Sequence, residues 1–125
     1  MRIQFFKVLL LCCIGALLVQ CSDMKSLPPE MVGKWTTDDP SHEGQFLDIS
    51  PTAFMNGTEG EESFSYSITK VKTEKGTLYK STLYIVYCID TSGEENIFTF
   101  IYTPEQGGIV RYKAFQDILW RRSVK

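Results

Sequence analysis

Alternation of apolar and polar residues is the feature that most constrains the fold of this 125-residue chain. Between positions 63 and 69, Phe64, Tyr66 and Ile68 alternate with serine and threonine, which gives an extended strand one apolar and one polar face. After Val32 the sequence shows no helix-period stripe longer than about two turns. The pattern therefore predicts an all-β domain.

About eight strands are predicted in that domain. Besides 63–69, the segments with strand composition are 33–37, 45–49, 53–55, 83–89, 97–103, 109–113 and 118–122. The links between them are short and carry turn residues such as Asn56-Gly57 and Thr91-Ser92-Gly93, so neighbouring strands should be antiparallel. Consecutive hairpins favour an up-and-down meander, and closing it into a small β-barrel removes exposed strand edges.

The first 20 residues differ in kind from the rest. Arg2 and Lys7 are followed by an almost unbroken apolar run over 8–19. Since a membrane-spanning helix needs roughly 20 apolar residues, this run is too short to be one. It predicts a helical secretory signal segment over 1–20.

Leu18-Val19-Gln20-Cys21 resembles the lipobox of bacterial lipoproteins, whose cysteine is acylated and becomes the mature N-terminus. The resemblance implies lipidation at Cys21 and a membrane anchor made of acyl chains. Asp23 is not directly adjacent to Cys21, which does not resemble the enteric inner-membrane retention signal, so the implied location is the bacterial outer membrane. A plain secretory signal cleaved at another residue is the alternative.

The mature chain divides into a lipidated tether over 21–31 and a barrel domain over 32–125. Pro28-Pro29 stiffens the tether, which as an extended spacer could hold the domain up to about 30 Å from the membrane. With Cys12 and Cys13 removed in the signal and Cys21 acylated, Cys88 has no partner, so no intramolecular disulfide is expected.

Charge argues against nucleic acid as a partner. Of the 13 basic residues, Arg2 and Lys7 lie in the signal, and the remaining 11 face 15 acidic residues, which gives the mature chain a net charge of −4. A chain of this sign is repelled by phosphate backbones.

Short motifs in the first and last strands of the predicted barrel resemble those of a known family. Gly33-Lys34-Trp35 resembles the G-x-W signature of lipocalins and related calycins, in which the tryptophan plugs the closed end of the barrel. The resemblance implies that Arg121 or Arg122 stacks over Trp35, and strand parity with Trp120 favours Arg122. A cation–π contact of this kind contributes roughly 0.5–2 kcal/mol. Otherwise Trp35 and the arginines are ordinary core and rim residues of another sandwich or barrel.

The sequence gives little indication of a catalytic site. The only histidine, His42, lies in a proline-containing acidic loop, where a weak cation site is the alternative to a hydrated loop. A second acidic loop, with Glu59, Glu61 and Glu62, is predicted to be a solvated hairpin tip, and paired carboxylates for acid–base work on a sugar are the alternative. Cys88 lies among apolar residues, which suppress the thiolate form. The chain is therefore predicted not to be an enzyme, and no cofactor or metal ligand is assigned.

The strand over 83–89 is apolar on both faces, although a strand of a single-layer barrel should show one face to water. Either the N-terminal segment or a loop covers the second face, or Tyr84, Val86 and Cys88 form a surface for a protein partner.

Two functions remain open from the sequence. The first is a membrane-anchored binding module whose barrel interior, lined by Phe64, Tyr66, Ile68 and Phe100, holds a small apolar or amphipathic ligand. The second is a protein-interaction lipoprotein, an enzyme inhibitor or an envelope scaffold, whose barrel is filled by its own side chains.

Overall fold

The computed structural model describes residues 23–76 and 80–123. They form nine strands: β1 (Asp23–Met24), β2 (Gly33–Thr37), β3 (Gln45–Ser50), β4 (Ala53–Thr58), β5 (Ser63–Lys75), β6 (Thr82–Asp90), β7 (Glu95–Thr103), β8 (Ile109–Tyr112) and β9 (Phe115–Arg122). Single-turn 3-10 helices cover Pro29–Met31, Pro40–His42 and Glu105–Gly107. The predicted signal segment and Cys21 lie outside the described residues.

Strands β2 to β9 form a closed antiparallel barrel. Each strand pairs with the next along the chain, and β2 pairs with β9 to complete the ring. In the closing register, Trp35 lies opposite Arg122 and Thr37 lies opposite Trp120. The predicted all-β fold, an up-and-down barrel of eight strands, is confirmed.

Three strands are clearly longer than their sequence patterns indicate. β4 was predicted over 53–55 but continues to Thr58, so Asn56 and Gly57, predicted to form a turn, lie within the strand and the link follows at 59–62. β5 continues to Lys75, beyond a register shift between Ile68 and Lys70 that bends it away from β4. Beyond this bulge, β5 pairs with β1 on one side and β6 on the other. β9 begins at Phe115, where exposed polar neighbours conceal the strand from a search for apolar alternation.

The barrel has two different ends. The closed end carries the β3–β4, β5–β6 and β7–β8 links, and the segment over 25–32 crosses it. Leu27 and Met31 are buried there, and the Leu27 amide donates a hydrogen bond to the carbonyl of Pro51 in the β3–β4 turn (2.8 Å). The open end carries the four remaining links, β2–β3, β4–β5, β6–β7 and β8–β9.

Residues 21–31 were predicted to form an extended spacer. The described part of this segment, 23–31, instead packs against the barrel, so that prediction is wrong. Asp23 and Met24 pair with Lys72 and Val71 of β5, and the segment then covers the closed end with buried Leu27. The proline pair concealed this behaviour, since it suggests a solvated linker, while the apolar residues around it are spaced to reach the core.

Both alternatives for the second face of β6, cover by another segment or contact with a protein partner, are corrected because they placed Tyr84, Val86 and Cys88 on the outside of the barrel. Tyr84, Val86 and Cys88 are buried in the barrel interior, 4%, 0% and 2% exposed. The outward face therefore carries the residues of the other parity, including half-buried Ile85 and Tyr87. Lysine side chains of β5 lie over part of it, with Lys70 Nζ 4.5 Å from the Tyr87 ring centroid.

Candidate ligand-binding site

A pocket of about 680 Å³ occupies the open end of the barrel. Its apolar walls come from Phe46, Phe64, Phe98, Tyr112, Ala114, Phe115, Ile118 and Trp120, and its polar groups from His42, Gln45, Asn56, Thr58, Glu61 and Glu62. Binding sites for small molecules have volumes of about 300–1,000 Å³ and combine apolar walls with a few polar groups. The open end has both properties.

Strand alternation explains why these side chains converge. Ile118 and Trp120 share one parity on β9, and Phe98 on β7 and Tyr112 on β8 also point inward. Small polar residues at the corresponding positions of β4 leave the space open. Phe54 is buried in the core, and its ring centroid lies 5.1 Å from that of the pocket residue Phe98 in an edge-to-face contact.

The four residues predicted to line a pocket lie at different depths in the barrel, and one of them, Phe64, lines the observed pocket. Phe64 lies at the mouth, lines the pocket and is 59% exposed. Tyr66 is half-buried and stacks on Phe54, with ring centroids 4.8 Å apart. Ile68 and fully buried Phe100 belong to the core. The alternation identified the correct inward face of β5 and β7 but not the depth at which the interior is filled.

Most residues that line the pocket were not predicted from the sequence. Phe98 shares parity with Phe100, and Ile118 shares parity with Trp120, so the signal was present on both strands. Phe115 carries no such signal, because polar residues follow it. It reaches the rim only because β9 extends three residues beyond its apolar part.

Trp120 brings an unsatisfied polar group to the pocket. Its ring is 4% exposed, and its Nε1 is the one buried side-chain nitrogen or oxygen atom in the described chain that has no hydrogen-bond partner. The ring lies edge to face with His42 and Tyr112, at centroid distances of 6.5 and 6.0 Å. A buried N–H without an acceptor costs about 1–3 kcal/mol, and a ligand oxygen would relieve that cost.

Tyr112 stays neutral across the physiological pH range. Burial raises the pKa of its phenol to about 12, although a hydrogen bond with Asn56 acts in the opposite direction. The pocket therefore contains a neutral phenol that can act as a hydrogen-bond donor.

The acidic loop between β4 and β5 contributes to the site as well as to the surface. Glu61 and Glu62 are exposed, as a hairpin tip should be, and both also line the pocket. Sequence alone gave no indication that they face a cleft. Glu59, in the same loop, forms an ion pair with Lys34 at 2.6 Å.

The His42 loop is organised by its own hydrogen bonds. Asp39 Oδ1 accepts hydrogen bonds from the amide and the hydroxyl of Ser41, and these bonds hold the pKa of Asp39 below its usual value. His42 Nδ1 lies 2.8 Å from Ser41 Oγ. Among residues 23–76 and 80–123, no group of three or more histidine, cysteine or acidic side chains could hold a metal ion.

At the closed end, the structure brings Trp35 and Arg122 together. The guanidinium carbon of Arg122 lies 4.5 Å from the Trp35 ring centroid, and its nitrogens donate hydrogen bonds to the carbonyls of Val32 and Glu30. Trp35 Nε1 donates to the carbonyl of Met31 at 3.0 Å. The four interactions join the end of β9 to β2 and to the segment that precedes it.

Gly33 is required beside this contact. Its φ is +140°, and a Cβ there would lie 2.8 Å from Arg122 Nη1, so a side chain would displace the guanidinium. Arg121 lies apart from Trp35 and donates instead to Gln106 Oε1 at 2.8 Å.

Cys88 is a poor nucleophile in this environment. Burial, with a smaller contribution from the nearby Asp90 charge, raises the pKa of its thiol to about 11. Its Sγ donates weakly to the carbonyl of Asn96 at 3.5 Å. Since the thiolate is the reactive form, this residue belongs to the core and not to the site.

No protein-family profile, curated protein or solved structure matches this chain. Within the part of the chain that the structure describes, no helix has the length and hydropathy needed to cross a membrane.

Proposed function

We propose that this protein is a non-catalytic binding module for a small apolar or amphipathic ligand, carried by a lipoprotein of the bacterial envelope. The observation that supports the proposal is the aromatic-walled pocket of about 680 Å³ at the open end of the barrel. Burial of apolar ligand surface against such walls contributes about 25 cal/mol per Å² before the costs of association are subtracted.

The arrangement of the barrel supports ligand entry at one end only. The closed end is filled by Trp35, Met31 and Leu27, all at most 3% exposed. At the other end, Phe64 and Phe115 present exposed rings to solvent, 59% and 63% exposed. Apolar side chains at a rim give an apolar ligand its first contacts before it is buried.

Substituting Ile118 with tryptophan tests the pocket directly. Ile118 points into the pocket, so the larger indole should occupy ligand space and weaken binding of the neutral fluorescent probe N-phenyl-1-naphthylamine at least about tenfold. Leu119→Trp is the matched control, because Leu119 is adjacent but has the opposite parity and does not line the pocket. Fluorescence titration of the full chain in phosphatidylcholine nanodiscs, corrected with empty nanodiscs, measures both affinities.

The proposal fails if the wild-type chain leaves the fluorescence of the probe at the level of empty nanodiscs. It also fails if Ile118→Trp and Leu119→Trp weaken binding equally, since the probe would then bind elsewhere.

The membrane anchor is a separate part of the proposal. Cys21 is proposed to carry the acyl chains, and β1 begins only two residues later, so the anchor would join the barrel almost directly. Cells labelled with radioactive palmitate should incorporate label into the wild-type chain. The Cys21→Ala variant should remain unlabelled, and Cys88→Ala, which removes a buried thiol, should keep the label. Equal labelling of all three chains would contradict lipidation at Cys21.

A second candidate function is supported by the outer surface of β6 and β7. Ile97 on β7 is 63% exposed and lies opposite Tyr87 in the β6–β7 register, beside half-buried Ile85. An exposed apolar sheet surface of this kind is typical of protein interfaces. A protein-interaction role, as an inhibitor or envelope scaffold, would use this outer surface and leave the pocket unused.

A further inference from the structure

We propose that the ligand of the open-end pocket is a cationic amphiphile, positively charged at the end nearest solvent and carrying a hydrogen-bond acceptor at its buried end. The inference rests on the proposed function, because it specifies the chemistry of a ligand for the same pocket. It follows from the charges around the mouth, the aromatic rim and the unpaired indole of Trp120.

The mouth of the barrel is strongly acidic. Three of the four open-end loops, 38–44, 59–62 and 91–94, hold seven of the 15 acidic residues of the chain and contain no lysine or arginine, and Asp90 and Glu95 flank the third. One of the seven, Glu59, is paired with Lys34 of β2. The fourth loop contributes one cation, Lys113, which does not line the main pocket. Like charges gathered around a cleft focus a field that attracts cations and repels anions.

Two of these acidic residues belong to the pocket itself. Glu61 and Glu62 line it on the same side as Phe64, while Phe115 completes the exposed rim. Carboxylates beside aromatic faces suit an ammonium group, which gains both ionic attraction and cation–π attraction. An anionic ligand would meet repulsion from the same groups.

The buried part of the pocket, beside Trp120, favours a ligand group other than the cation that suits the mouth. Trp120 lines the pocket and its ring packs edge to face against His42 and Tyr112, but its buried Nε1 has no hydrogen-bond partner in the described chain. Only an acceptor can satisfy an indole N–H. An oxygen carried on an apolar body would therefore be favoured there, while the charged group stays at the acidic mouth.

A matched set of fluorescent probes tests this chemistry. Dansylcadaverine, dansylamide and dansylglycine share one aromatic body with sulfonyl acceptors, and are cationic, neutral and anionic at neutral pH. Titrations use the full chain in phosphatidylcholine nanodiscs with empty nanodiscs as the blank. We expect dansylcadaverine to bind about tenfold more tightly than dansylglycine at low salt, with dansylamide between them, and the difference to shrink in 0.5 M NaCl.

Paired substitutions locate the origin of the selectivity. Glu61→Gln/Glu62→Gln should reduce the preference for the cationic probe to about twofold or less. Glu94→Gln/Glu95→Gln removes the same charge from a rim loop that does not line the pocket and should leave most of the preference intact. Trp120→Phe keeps an aromatic ring but removes the N–H, so all three probes should weaken by a similar factor of about three to ten.

The outcomes separate the inference from the proposed function. If the three probes bind with equal affinity, or dansylglycine binds best, the cationic assignment is wrong while the pocket remains a binding site. If Trp120→Phe changes none of the affinities, the buried acceptor is wrong. If no probe binds the wild-type chain, both the cationic assignment and the binding function are overturned.

Discussion

Replacing Trp35 with alanine is expected to lower the free energy of unfolding by about 3–5 kcal/mol. Trp35 is fully buried beneath Arg122, and its Nε1 donates to the Met31 carbonyl at 3.0 Å. Alanine would leave a large cavity at the closed end and remove a hydrogen bond from the segment that covers it. Urea denaturation of the full chain in a mild nonionic detergent, followed by far-ultraviolet circular dichroism, measures the change.

Phe115→Ala is the control for this loss. It also removes an aromatic side chain, but one that is 63% exposed, so the free energy of unfolding should change by no more than about 0.5 kcal/mol. Equal destabilisation by the two substitutions would show that the Trp35 contact does not hold the barrel closed.

Arg122→Ala is expected to cost about 2–3 kcal/mol of unfolding free energy. The substitution removes the cation–π contact with Trp35, worth roughly 0.5–2 kcal/mol, and hydrogen bonds to the carbonyls of Val32 and Glu30. Arg122→Lys should recover only part of the loss, because an ammonium group lacks the planar fork that reaches both carbonyls. The same denaturation experiment measures all three chains.

Arg121→Ala provides the matched comparison at the next position. Arg121 donates to Gln106 at an exposed site and does not contact Trp35, so its removal should change stability by about 0.5 kcal/mol or less. A loss at Arg121 as large as that at Arg122 would contradict the assignment of the closing contact.

The barrel could be predicted because the signals for its strands and turns lie within short stretches of sequence. Alternation over 63–69 and short glycine turns indicate antiparallel hairpins, and the bounds predicted for β2 coincide with those observed, Gly33–Thr37. Parity with Trp120 also favoured Arg122 over Arg121, and Arg122 is the residue that lies over Trp35. The strand inferences need only neighbouring residues and the two-residue repeat of a strand, whereas the contact between Trp35 and an arginine was implied by the resemblance to lipocalins.

The remaining features depend on contacts that a local pattern does not contain. β6 is apolar on both faces, so alternation could not decide whether Val86 or Ile85 points inward. The two residues of β1 form a strand only because the β5 bulge exposes an edge at Val71 and Lys72. The depth of the pocket depends on how much of the interior Phe54 and Phe100 fill, a matter of packing in three dimensions.

The pairing of the first barrel strand with the last also sets an order of events in folding. The Arg122 hydrogen bond to Val32 joins residues 90 positions apart, so it cannot form until nearly the whole chain has been made. A nascent chain that stops before β9 leaves β2 and β8 as two unpaired edges, each able to recruit strands from other molecules. High contact order of this kind slows folding, and the barrel stays open until the eight residues of β9 have paired with both β2 and β8.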